Sequence, residues 1–257
     1  MAARKPTRRT PSPATSPAPA VAAEPPPRPR NWPAWYNRGF GARIQHTHGS
    51  VESLVEEVIA GRMRLPVFQR AYVWTDDQTA RLWDSLLRGY HVGNLLLWQR
   101  YDLPPTRERF AGVEVACAAR ESWMVVDGQQ RLGAILDVAQ SGRWHLDLAT
   151  CGVTTEPGPW RLPARLAMTT STLVDAVDWP NGHAAEHGLP VHDVYDATVA
   201  MLDTLSHVRV SAVRMESDYW TMPRVLESYR RMATEGTPHD PAALESALLR
   251  AMAEHTP

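Results

Sequence analysis

The chain has 257 residues, a net charge of −1 at neutral pH, 44% hydrophobic and 21% charged residues, the proportions of a soluble globular protein. No apolar run approaches the roughly 18 residues of a membrane span, and the N-terminus holds no uninterrupted apolar signal segment, so neither a membrane protein nor a secreted one is expected; the prolines there disfavour an amphipathic transit helix. Cys117 and Cys151 are too few for a disulfide framework or a four-ligand zinc site, so a reducing, cytoplasmic setting is expected.

The charge is uneven. Residues 1–31 hold six basic groups, one acidic group and nine prolines, a net +5 that leaves −6 on the remainder. Such a stretch buries too little apolar surface to offset the entropy of ordering, and it reads as a disordered Pro/Arg-rich tail. The remainder is not a generally basic nucleic-acid binder. It is expected to be one α+β domain: a core over residues 32–168 with a mixed β-sheet and flanking helices, then a mainly helical extension over 169–257.

In chain order, Ser50 caps a helix whose apolar residues Val51, Leu54, Val55, Val58 and Ile59 recur at helical spacing, and Gly61 stands where a terminating glycine belongs. Residues 62–74 lack helical period and hold Pro66, so a strand or ordered loop is expected. Thr75 and Gln78 form a capping box for a helix with Thr79, Leu82, Trp83, Leu86, Leu87 and Tyr90 on one stripe. Residues 93–98 read as a buried strand, 99–121 as irregular with a strand near 112–117, and 123–126 as a central strand covered on both faces. A helix with Leu132, Ile135, Leu136 and Ala139 inside runs from there to Gly142. Two strands are expected at 145–149 and 163–168, and residues 170–189 look loop-like with a short helix. A helix at 191–206, a strand at 207–215, a helix at 219–232 and a last helix capped by Asp240 complete the series.

The most informative stretch is VVDGQQRL, residues 125–132, a strand end joined through glycine to a helix start. A helix N-terminus offers free N–H groups and the positive end of the dipole, and so binds phosphate readily. Gly128 lets the backbone approach an anion, Arg131 adds a bidentate donor, and Gln129 and Gln130 can orient water or a sugar hydroxyl. Asp127 can hold Mg²⁺ through water or act as a base. A capped structural helix with a surface Arg gives the same pattern. A second group, Pro66, Phe68, Gln69, Arg70, Tyr72, Trp74 and Gln78, surrounds Arg70 with aromatic rings. Arg70 there serves either a phosphate or base or an ion pair on a packed core. His183, His187 and His192 are not expected to gather a metal, because Gly182 and Gly188 disfavour the helix that would align the first two.

The segments LPVFQRAYVW (65–74), LWDSLLRGYHVGNLLLW (82–98) and VVDGQQRL (125–132) together resemble the N-terminal domain of GmrSD-type modification-dependent restriction systems, in the same order and with similar spacing. The resemblance is strong over residues 45–140. Residues 229–238, YRRMATEGTP, are similar to a further segment of that family, with Ala233 where the family carries Asn and Glu235 where a small or neutral residue stands. The resemblance implies a ParB/sulfiredoxin-like core that binds and hydrolyses a nucleoside triphosphate with Mg²⁺ or Mn²⁺, coupled to restriction of modified DNA. It implies catalytic roles for Asp127, Gln129 and Gln130, with Asp127 on the metal, and phosphate contacts from Gln69, Arg70, Gly128 and Arg131. Full-length members append an HNH-type nuclease, and no room for one is expected before residue 257, so a separate nuclease subunit is the expected partner. A non-catalytic nucleotide- or DNA-binding module and a ParB-like nuclease are the two alternatives.

Overall fold

The computed structural model describes residues 44–67, 69, 71–101, 106–116, 121–218 and 220–235. The expected 1–31 tail, Phe68, Arg70, Cys117, residues 236–238 and the helix capped by Asp240 lie outside the described residues.

The first elements are β1 (Ile44–Ser50), α1 (Val51–Ile59), β2 (Met63–Arg64), α2 (Asp76–Leu87), β3 (Asn94–Arg100), β4 (Arg109–Phe110), β5 (Val113–Glu114), β6 (Ser122–Asp127) and α3 (Gln129–Gln140). There follow β7 (His145–Asp147), β8 (Gly152–Thr154), β9 (Arg161–Pro163), α4 (Leu173–His187), α5 (Val191–His207), β10 (Arg209–Met215) and α6 (Met222–Glu235). The main sheet has the order β1-β10-β3-β6-β2. It is mixed: β10 and β3 run parallel, as do β2 and β6, whereas β1–β10 and β3–β6 are antiparallel. The architecture is therefore α+β. The C-terminal part contributes helices α4, α5 and α6 and also β10, which enters the sheet between β1 and β3.

Local chemistry explains the elements that match expectation. The Ser50 hydroxyl accepts from the Ser53 N–H at 3.1 Å to start α1. The Thr75–Gln78 capping box is formed on both sides and starts α2. Leu95, Leu96, Leu97 and Trp98 in β3 are all buried. Successive side chains point to opposite faces, so Leu95 and Leu97 join the main core with Val55, Trp83, Leu132 and Leu136. Leu96 and Trp98 join a second cluster with Met215, Trp220 and Val225. Trp83 donates from its indole N–H to the Ala134 carbonyl at 3.2 Å, locking α2 to α3.

Five expectations are corrected. Helix α2 ends at Leu87, and Gly89 follows with a φ of 73°, so Tyr90 leaves the buried stripe and is 65% exposed. Residues 109–114 form a hairpin, β4 with β5, across a two-residue turn in which Ala111 and Gly112 have φ of 49° and 81°. The second strand of the 145–168 region is β8, and β9 stops at Pro163, followed by a 3₁₀ turn over Ala164–Leu166. Residues 173–187 are not loop-like: they form the fifteen-residue helix α4 with Pro180 inside it. Buried Ala176, Pro180 and Ala184 recur every fourth residue, and α4 packs along α5; that packing overrides the weak local propensity. Gly182 lies within α4, and Gly188 closes it with a φ of 64°. Along α5, Val194, Thr198, Met201 and Leu205 are buried, whereas Val191 and Tyr195 of the expected stripe are exposed.

Candidate functional site

Strand β6 ends at Asp127 against the start of β3. The register slips there: Leu97 faces Val125 and Leu96 faces Asp127, leaving Val126 as the extra residue of a bulge. A bulge redirects the side chain that follows it. Gln69, itself buried, closes the irregularity from across the chain. Its amide N–H₂ donates to the Val125 carbonyl and to the Val126 carbonyl, the latter at 3.1 Å.

Gly128 caps α3 with a φ of 90°, in the left-handed region. A Cβ there would stand 2.5 Å from Leu95 Cδ2 and 3.2 Å from Arg131 Nη2, so both backbone and space require glycine. No side chain caps α3, and its first turn holds no acidic residue. The N-terminal N–H groups of this helix therefore carry their dipole without a carboxylate of the helix itself to neutralise it.

Arg131 folds back over this junction. Its Nη1 donates to the Val92 carbonyl at 3.0 Å and its Nη2 to Asp127 Oδ2 at 3.3 Å. The Asp127 side chain is 39% exposed and that of Arg131 is 21% exposed. Burial lowers the pKa of the Arg131 guanidinium, and the Asp127 carboxylate opposes that shift. Gly93 makes room for the pair: with a φ of 81°, a Cβ there would lie 2.7 Å from Arg131 Nη1. Gly93 and Val92 belong to the site, and residue-type reasoning missed them because neither carries functional chemistry of its own.

Gln130 is buried and its amide is engaged at both ends. Its Oε1 accepts from the Val73 N–H at 3.0 Å, and its Nε2 donates to the Ala71 carbonyl at 2.9 Å. The side chain thus pairs with residues 71–73 as a short strand would, pinning that segment beside α3. Tyr72 of the same segment inserts where α3 has Gly133, whose Cβ would meet the Tyr72 ring at 2.4 Å. The Tyr72 hydroxyl shares a 2.7 Å hydrogen bond with Thr79, and burial raises its pKa. Gln129 is buried in the first turn of α3.

The structure therefore brings together Gln69, Asp127, Gly128, Gln130 and Arg131, with Asp127 and Arg131 as the partly exposed groups. A divalent cation bound by one carboxylate, ligand phosphates and water fits Asp127, and an anion fits the uncapped helix start. A cavity of about 460 Å³, lined by Leu87, Tyr90, His91, Asp203, His207 and Arg209 among others, opens beside residues 89–91 and holds none of the junction's residues.

The mixed sheet, with an acid at the end of β6, a left-handed glycine and an Arg one turn into α3, makes this an α+β domain with one uncapped helix start beside a charged pair. The model of the GmrSD restriction endonuclease N-terminal domain matches residues 51–239, and the chain belongs to that family. No curated protein matches the chain. The family makes it a component of a GmrSD-like restriction system. Among the described residues no helix is long and apolar enough to cross a membrane.

Proposed function

We propose that the chain is the nucleotide-sensing and nucleotide-hydrolysing component of a modification-dependent restriction or phage-defence system. In this reading it works in the cytoplasm, with DNA and a separate HNH-type nuclease subunit, and its core is kin to the ParB/sulfiredoxin folds. One observation carries the nucleotide reading: α3 opens on left-handed Gly128 with no side-chain cap, and Asp127 and Arg131 stand paired and partly exposed beside it.

The pair suits an exchange. Arg131 would hold a triphosphate in place of Asp127, and the Asp127 carboxylate so released would be free to hold the cation. Arg131 then holds phosphate by charge-assisted hydrogen bonds, and the α3 N–H groups face the same anion. Mg²⁺ or Mn²⁺, when bound, neutralises charge on the phosphoryl oxygens. Arg70, next to Gln69 in sequence, is the second phosphate ligand of this reading. Gln69 and Gln130 act through the backbone they hold. A module that binds nucleotide without turning it over is the second reading, favoured by Gln130, whose amide is already engaged by Ala71 and Val73.

The test combines fluorescent-triphosphate binding with phosphate release in the presence of Mg²⁺. Asp127→Ala and Arg131→Ala are expected to weaken binding by about 10- to 150-fold, the value of one charge-assisted contact, with circular dichroism unchanged. Wild-type affinity in both variants overturns the site. Wild-type binding with no phosphate release selects the second reading.

A further inference from the structure

Helix α4 carries a second group of chemistry-bearing side chains, separate from the β6–α3 junction. His183, Glu186 and His187 stand at i, i+3 and i+4, the spacing that puts side chains on one helix face. One nitrogen of each imidazole and one Glu186 oxygen all lie within 4.8 Å of one another. His183 is half-buried, whereas Glu186 and His187 are exposed.

The His183 ring is held on two sides. It stacks on Trp179 at a centroid separation of 4.1 Å and an interplanar angle of 24°, and its Nε2 lies 2.9 Å from the Pro159 carbonyl oxygen. A carbonyl oxygen only accepts, so Nε2 donates, and in the neutral imidazole Nδ1 is the nitrogen left to bind a metal. A backbone carbonyl that fixes the tautomer in this way is the usual outer support of a metal-ligating histidine. The His187 ring lies 4.3 Å from that of His183. The group also sits in the last turn of α4, which ends at Gly188, where the helix dipole favours a cation.

We propose that His183, Glu186 and His187 bind one divalent cation of the Zn²⁺ class. Two imidazoles and one carboxylate suit a borderline cation; Mg²⁺ and Ca²⁺ prefer all-oxygen sets. Three protein ligands leave one tetrahedral position to water or an exogenous donor, and the exposure of Glu186 and His187 opens that position to solvent. The bound ion ties the end of α4, through His183, to the Pro159 loop between β8 and β9. The proposal stands apart from the nucleotide reading of the β6–α3 junction.

The full chain, stripped with a chelator and dialysed, is titrated with zinc chloride by calorimetry and with cobalt chloride by visible absorption. One tight zinc equivalent is expected, with a cobalt band of tetrahedral intensity. Glu186→Gln and His187→Ala alter exposed side chains and leave the fold intact, and each is expected to weaken zinc binding by at least about tenfold. His46 and His48 share a face of β1, and the double variant His46→Ala/His48→Ala is expected to bind as wild type does. No zinc binding by the wild type overturns the site, as does wild-type affinity in the α4 variants or loss of zinc in the β1 double variant.

Discussion

The Gln130 amide bonds Ala71 and Val73, and the Gln69 amide bonds Val125 and Val126. Two glutamines thus stitch the 69–73 segment to the end of β6 and the start of α3, and Asp127 takes its place from that seam. In Gln130→Ala the Val73 N–H and the Ala71 carbonyl lose their partner; both bonds are only part-buried, so each loss costs about 0.5–1.5 kcal/mol. The expected outcome in urea is a lower unfolding midpoint, with nucleotide affinity falling as a consequence. Unchanged stability with lost affinity would instead make Gln130 a direct ligand contact. The sequence makes Asp127, Gly128 and Arg131 legible because strand end, glycine and helix start are neighbours in the chain. The amide contacts span 56 to 59 residues, and no local pattern encodes them. Gly93 is hidden for a related reason: its importance is the space it leaves for Arg131 Nη1.

Elements whose signals are local are legible in the same way. α1 and α2 carry their caps, and α1, α2 and α3 their 3.6-residue period, in the sequence, and β6 is a short apolar run ended by Asp-Gly. α4 is legible only as a short helix, since Pro180 and Gly182 argue against a long one, and its packing on α5 sustains the full fifteen residues. The β4–β5 hairpin is hidden because its first turn residue is Ala111, with a φ of 49° that alanine rarely adopts. The left-handed conformation costs an L-residue about 1–2 kcal/mol, and asparagine tolerates it best among residues with a side chain. Ala111→Asn is therefore expected to stabilise the chain by about 0.5–1 kcal/mol, raising the calorimetric melting midpoint by about 1–4 °C. A lower midpoint would mean that the methyl group's packing against the core outweighs the backbone strain.

Strand order emerges only when distant segments meet: β10, more than 80 residues after β6, lies between β1 and β3. That arrangement decides which functional groups can share a pocket, and it bears on whether the chain cuts DNA alone. Cleavage of a phosphodiester by an HNH-type centre needs a histidine base and metal ligands converging on one phosphate. His145 is the histidine nearest Asp127 in sequence, and the whole of α3 lies between them. Its twelve residues make a helix about 18 Å long. Burial, and then Arg161, lower the His145 pKa, and the residue pairs with Thr154 and Pro163 in the small sheet. His145 therefore cannot serve as base for a phosphate held at the β6–α3 junction. Purified protein incubated with Mg²⁺ or Mn²⁺, a triphosphate and modified or unmodified plasmid is expected to leave the plasmid supercoiled, with cleavage appearing only when a nuclease subunit is added. Nicking by the chain alone that disappears in Asp127→Ala would place a nuclease at the junction and end the split-subunit reading. Nicking that disappears instead in His187→Ala would place it on α4, because that variant removes a histidine from the other candidate metal site and leaves Asp127 and Arg131 in place.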